Sequence, residues 1–173
     1  WELYAMWAWV AVWIVASNDA AGDGPDPAVL TCFVIAAGGV GSWLAGVLSD
    51  RVGRVAAAGS ALAVSGTVSL LSPLVFGRPA WLVVPVLVVW GFTVVADSAQ
   101  FSTMVTESVD GSIRGTGLTL QTALGFLLTL ASIQLVPALA DTAGWRWGFP
   151  ILAIGPALGL WALLRRQSAR PGG

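Results

Sequence analysis

Gly46-Val47-Leu48-Ser49-Asp50-Arg51-Val52-Gly53-Arg54 is the only tight charge cluster between two long apolar runs. Residues 27–49 carry no charge before it, and residues 55–77 carry none after it. Three charges in five residues cannot sit in hydrocarbon, so the stretch reads as a short aqueous turn between two membrane helices. Glycine lets a chain reverse tightly: Gly46 is expected in the last turn of one helix and Gly53 just before the next. Asp50 can cap or pair locally, and Arg51 and Arg54 can face anionic headgroups.

Composition agrees with that reading. The chain has 173 residues, 57% hydrophobic and only 10% charged, with a mean hydropathy of +0.83. Soluble domains carry about 25% charged residues, so this is the composition of an integral membrane protein. A net charge of -1 without a basic stripe argues against a nucleic-acid partner. There is no His, and all eight basic residues are Arg. That removes most metal sites, His-based triads, Ser-Lys dyads and the phosphate-loop lysine together, so neither an enzyme nor a bound cofactor is expected. Cys32 cannot form an internal disulfide and reads as core filler. Trp1 already lies inside an apolar run, and residues 1–17 lack the basic leader of a signal peptide. The expectation is a fragment of a longer product.

About 20 helical residues cross ~30 Å of hydrocarbon. Six runs reach that length or approach it: 1–17, 27–48, 56–76, 80–104, 116–137 and 147–164. None alternates with period two, so a β-barrel is excluded and the fold class is all-α, a polytopic bundle of six spans. The second span carries Gly38, Ser42 and Gly46 every four residues, a small-residue stripe for close helix approach. The third is rich in Ala, Gly and Ser, and again reads as packing. The sixth contains Pro150, Gly155, Pro156 and Gly159, and reads as one kinked helix.

Polar residues inside the spans are the candidate functional groups. In the first, Glu2, Met6, Trp9 and Trp13 share a face, and Trp9 reads either as packing or as a cavity wall. In the fourth, Thr93, Asp97 and Gln100 share a face that Glu107 continues beyond the membrane edge, while Gly91, Ser98 and Ser102 form a small-residue face opposite. A charge within a span costs at least ~2.5–3.5 kcal/mol and marks a functional pathway by default. Asp97 is therefore either a proton-coupling or substrate-contacting group, with Gln100 and Thr93 beside it, or a structural carboxylate paired with an arginine. Glu2 is a weaker candidate of the same kind. The fifth span places Gln121, Gly125, Thr129 and Ser132 on one face; Gln121 is a second cavity-wall candidate, against ordinary interhelix hydrogen bonding. Glu107, Asp110 and Arg114 are expected to pair across the loop at 105–115. Asp97 and Glu107 are about 15 Å apart along a helix, too far to act as a carboxylate pair.

Residues 46–54 also resemble the G-x-L-x-D-R-x-G-R loop of the major facilitator superfamily of secondary transporters. Gly46, Leu48, Asp50, Arg51, Gly53 and Arg54 match it as they stand. Glu107 with Arg114-Gly115 is similar to the family's second cytoplasmic loop, although the proline often found between them is absent. Gly144-Trp145-Arg146-Trp147-Gly148-Phe149 is similar to a G-W-R-W-x-F pattern before the last helix.

The resemblance implies the C-terminal six-helix half of a twelve-helix transporter, built from two inverted three-helix repeats. That half-domain would occupy 1–168, with a cytoplasmic tail at 169–173 and the N-terminal half missing. In the family the first and fourth spans line the central cavity, the second and fifth pack against the other half, and the third and sixth face lipid. Loop arginines are asymmetric: Arg51, Arg54, Arg114, Arg165, Arg166 and Arg170 fall on one side, Arg78 and Arg146 on the other. The positive-inside rule puts the first set and the C-terminus in the cytoplasm of a bacterial plasma membrane. The expected function is proton-coupled transport of a small solute by alternating access, a permease whose partners are lipid, solute, protons and the missing half. The loop of Gly46, Asp50, Arg51, Gly53, Arg54, Glu107 and Arg114 would gate the inner face. The alternative is a membrane scaffold or sensor that keeps the fold without transporting.

Overall fold

The computed structural model describes residues 1–168, so the tail expected at 169–173 lies outside the described residues. Six α-helices and three short 3-10 turns are present among them, and no strand. The helices are α1 Leu3–Ala21, α2 Pro27–Val52, α3 Arg54–Val75, α4 Ala80–Ser108, α5 Arg114–Ala143 and α6 Ile154–Ser168. Five stretches are long and apolar enough to cross a bilayer: α2, α3, α4, the stretch Gly111–Ala143 that contains α5, and Trp145–Arg165, which contains most of α6. The bundle's exterior suits lipid. Phe33, Trp43, Leu74, Leu127 and Leu130 are each 62–68% exposed, a surface that soluble monomers rarely carry.

The remaining helix, α1, packs one face into the core. Its Ala5, Met6, Val10, Trp13 and Ile14 are completely buried. They meet Trp90, Phe149 and Leu87 in the main core. Trp13 stacks on Phe149 with ring centroids 5.8 Å apart, and Trp90 meets Phe149 edge-on at 4.9 Å. Offset and edge-to-face aromatic pairs add about 0.5–1.5 kcal/mol beyond their burial. Phe149 therefore belongs to the core. The sixth span is also not one kinked helix. It begins as two 3-10 turns, Trp145–Trp147 and Pro150–Ala153, and only then becomes α6.

The charged cluster folds more tightly than a loop. α2 continues as helix through Asp50 and Arg51 to Val52, and α3 begins at Arg54. Gly53 alone joins them with φ +86°, a conformation that costs a residue with a Cβ. Its N–H donates to Ser49 O, closing α2, and its carbonyl accepts from Ala57 N, opening α3. Gly46 consequently lies well inside α2 rather than in its last turn.

The closest helix pair is α2 against α4, and its seam differs from the expected stripe. A Cβ at Gly41 would overlap the Phe92 carbonyl, one at Gly38 the Val95 side chain, and one at Gly91 the Val34 carbonyl. A Cβ at Gly46 would meet nothing within 4 Å. The seam is thus Gly38 and Gly41 facing Gly91, with Gly46 outside it. Gly91 packs tightly, whereas Ser98 and Ser102, expected on the same face, are exposed. Cys32 is exposed on the outside of α2 rather than filling a core.

Pro73, Pro85 and Pro137 lie inside helices, and at two of them a nearby side chain supplies the donor that the carbonyl four residues earlier has lost. Pro137 has no N–H for Ile133 O, four residues earlier, which instead accepts from Trp9 Nε1 at 2.9 Å. Pro73 has none for Ser69 O, which accepts from Ser72 Oγ at 2.8 Å.

Gly41→Ala should destabilise the bundle by about 1–3 kcal/mol, the usual cost of forcing atoms into a filled seam, whereas Gly46→Ala should be neutral within ~0.5 kcal/mol. Unfolding in mixed micelles measures both. Equal loss at the two sites would contradict the seam described above.

Candidate functional site

α1 and α4 bring two carboxyl groups to one cavity. Glu2, at the start of α1, is 5% exposed, and Asp97, in the second half of α4, is 9% exposed. Both line a cavity of about 370 Å³, together with Trp1, Ser98 and Phe101 and with Gly155 and Pro156 of α6. The ring of Trp1 lies against Gly155, where a Cβ would press on it, so the α6 glycine makes room for this wall.

Glu2 is held firmly. Trp90 Nε1 donates to its Oε1 at 2.6 Å, and Ser65 Oγ donates to its Oε2 at 3.0 Å. Hydrogen bonds to a charged acceptor contribute about 1.5–3 kcal/mol, and a buried carboxylate without them would be very costly. Trp90 is fixed by its edge contact with Phe149, and Ser65 is completely buried on α3. Neither residue was singled out in the sequence. Trp90 lies two turns before Asp97 on the same face of α4, a spacing that was available to read. Ser65 sits in a run of small residues and gave no signal.

Asp97 is held more loosely, by Ser98 Oγ at 3.2 Å to its Oδ1. Among the described residues no arginine pairs with it, so the structural ion pair considered for it is not formed there. Thr93 and Gln100 do not join Asp97 at the cavity. Thr93 donates to Val89 O and Trp90 O and lines a groove between α2 and α3. Gln100 is 3% exposed, and its buried Oε1 has no partner.

Gln121 lines a second cavity of about 470 Å³ between α1, α4 and α5, with Tyr4, Ser102 and Phe126. Its buried Oε1 also lacks a partner. Tyr4 and Phe126 lie 5.4 Å apart across this cavity, and Trp1, Ser98 and Phe101 wall both cavities. Trp9 has a structural place: it fills the gap left by Pro137 and packs on Trp145 at 5.7 Å.

At the charged face, Glu107 does not pair within its own loop with Arg114. α4 stays helical to Ser108, which fixes Glu107 on its last turn, and there it reaches Arg54 at the start of α3, Nε to Oε1 2.8 Å. The pair is partly exposed, at 34% and 53%, so its stabilisation is at most about 1 kcal/mol. What it does is tie the α2–α3 turn to the end of α4. Asp50, Arg51 and Arg114 are exposed and make no ion pair among the described residues. No group of three or more His, Cys, Asp or Glu side chains that could hold a metal lies together among the described residues.

Neither a protein-family model, nor a curated protein, nor a solved structure matches the chain.

Trp90→Phe keeps the ring in the core and removes the donor to Glu2. It should cost about 1.5–3 kcal/mol in the same unfolding assay, and Glu2→Gln made in that background should recover part of the loss. Full additivity of the two substitutions would show that the bond contributes nothing.

Proposed function

We propose that the chain is one half of a secondary transporter of the major facilitator type, moving a small solute by alternating access. The observation that carries this reading is the pair Glu2 and Asp97 in one cavity of an apolar bundle, with no arginine paired to Asp97 among the described residues. Ionisable groups at such depth are expensive and are kept where ions or solutes pass. A carboxyl held only by groups of its own helix turn can take up and release a proton as its surroundings change; that is the role assigned to Asp97, with Glu2 as the neighbour anchored from two other helices.

Two further features support the reading. The 46–54 stretch carries the family's loop pattern, and Gly53 makes it a rigid single-residue hinge between α2 and α3. Arg54 and Glu107 join that hinge to α4, the helix that carries Asp97. A bridge worth about 1 kcal/mol or less suits a latch that opens and closes in each cycle. Asp50, unpaired on this half, is then free to meet an arginine or a helix start of the companion half in one of the two states. The solute would reach the aromatic, hydroxyl-lined space at Gln121, next to the carboxyl cavity. The orientation that follows from the arginine distribution places the hinge in the cytoplasm.

Transport by the full-length protein in proteoliposomes tests this. Asp97→Asn should abolish the dependence of transport on a pH gradient while leaving binding of solute measurable. Wild-type gradient dependence in that variant would remove the coupling role. Glu107→Gln and Asp50→Ala should each alter turnover without unfolding the bundle, and unchanged turnover in both would remove the latch. Absence of any transport by the intact protein would favour the scaffold or sensor.

A further inference from the structure

We propose that the groove between α2 and α3 is a binding site for an anionic phospholipid, with an acyl chain in the groove and the phosphate on Arg51. The groove has a volume of about 400 Å³ and is floored by Phe92, Thr93 and Ala96 of α4. It opens to the side of the bundle, where Leu44, Leu48 and Val64 on its walls are each 40–43% exposed.

Its polar atoms are already engaged. The Thr93 hydroxyl donates to Val89 O and Trp90 O, and the Ser60 hydroxyl donates to Ala57 O. What remains to be contacted is hydrocarbon, so the groove offers a polar solute nothing and an acyl chain a continuous wall. The one charge on its lining is Arg51. From Leu44 to Arg51 the groove runs seven residues of helix, about 10 Å at 1.5 Å per residue. Half of a ~30 Å hydrocarbon core is ~15 Å, so the groove fits within one leaflet, with Arg51 at the end where the chain turns into water.

Among the described residues Arg51 and Arg114 each have a guanidinium that makes no ion pair, and Arg51 is the one on the groove's lining. Arg54 is taken by Glu107, Arg146 donates to Pro73 O, Arg78 donates to Leu74 O, and Arg165 lies over the Trp161 ring at 4.1 Å. Arg51 is exposed and makes no hydrogen bond or ion pair among the described residues. A guanidinium presents parallel N–H donors that match a phosphate. Asp50, its neighbour on the helix, is not on the groove's lining, so the charge facing the groove's mouth is positive.

Native mass spectrometry of the full-length protein, released from nanodiscs holding equal amounts of phosphatidylglycerol and phosphatidylcholine, reads the site directly. The wild type should retain phosphatidylglycerol with about a five-fold preference, the factor that corresponds to ~1 kcal/mol for one basic residue near an anionic lipid. Arg51→Gln should bring the two lipids to parity, and Arg78→Gln should leave the preference intact. Val64→Trp, a substitution at an exposed wall position that fills the groove, should lower the total lipid retained. Parity in the wild type, a preference that survives Arg51→Gln, an equal loss in Arg78→Gln, or unchanged retention in Val64→Trp would each overturn the proposal. A second protein bundle covering the groove would appear as this last result.

Discussion

Lipid offers no hydrogen bonds, so a polar group inside this bundle is satisfied only where the protein supplies its partner, as it does not for Gln100 Oε1 or Gln121 Oε1. An unsatisfied backbone group in hydrocarbon costs several kcal/mol, which makes this the strictest demand on the chain. The sequence places prolines inside three long helices, and at two of them, Pro73 and Pro137, a side chain donates to the carbonyl left without its usual donor. Trp9 from α1 reaches across to Ile133 O, and Ser72 turns back onto Ser69 O. Serines elsewhere do similar work between elements: Ser69 holds Phe149 O and Ser132 holds Trp1 O. Ser17 accepts from Gly77 N at the α3–α4 turn. These bonds decide how α1 sits among its neighbours as much as apolar packing does.

The same demand explains the carboxyl cavity. Glu2 is acceptable in the core because two donors from two other helices converge on it, and those donors are themselves fixed. Asp97 is held by Ser98 and by backbone of its own turn, with no side-chain donor from another helix among the described residues. Two acids of one cavity thus differ in how they are held. The packing around them depends on glycine: α4 can lie against α2 only because Gly38, Gly41 and Gly91 carry no Cβ, and α6 leaves room for Trp1, just before α1, because Gly155 carries none.

The hinge at Gly53 links this interior to the aqueous face. A single residue with positive φ leaves little slack between α2 and α3, so a movement of one helix is passed to the other. Arg54 and Glu107 extend that connection to α4. Arg51, on the same turn, lines the groove and makes no ion pair among the described residues. One short charged stretch therefore carries two separate roles, a contact between helices and a contact with lipid.

Hydropathy and the positions of charge were enough to establish an all-helical membrane-type bundle, the turn at Gly53 and the unusual placement of Asp97. These are local properties, set by chain length in hydrocarbon and by the cost of a charge there. They gave α1 the same standing as the other spans, however, and marked Gly46 as part of the close seam. The reason is that periodicity shows which residues share a face but not which face meets which helix. Only the tertiary structure decided that Gly41 and not Gly46 touches α4, that Ser65 and Trp90 hold Glu2, and that Thr93 lies apart from Asp97. It also sent Glu107 to Arg54 across 53 residues of chain rather than to Arg114 nearby. Pairings of that kind depend on how rigid helices are laid against one another, and nothing within a single helix encodes it.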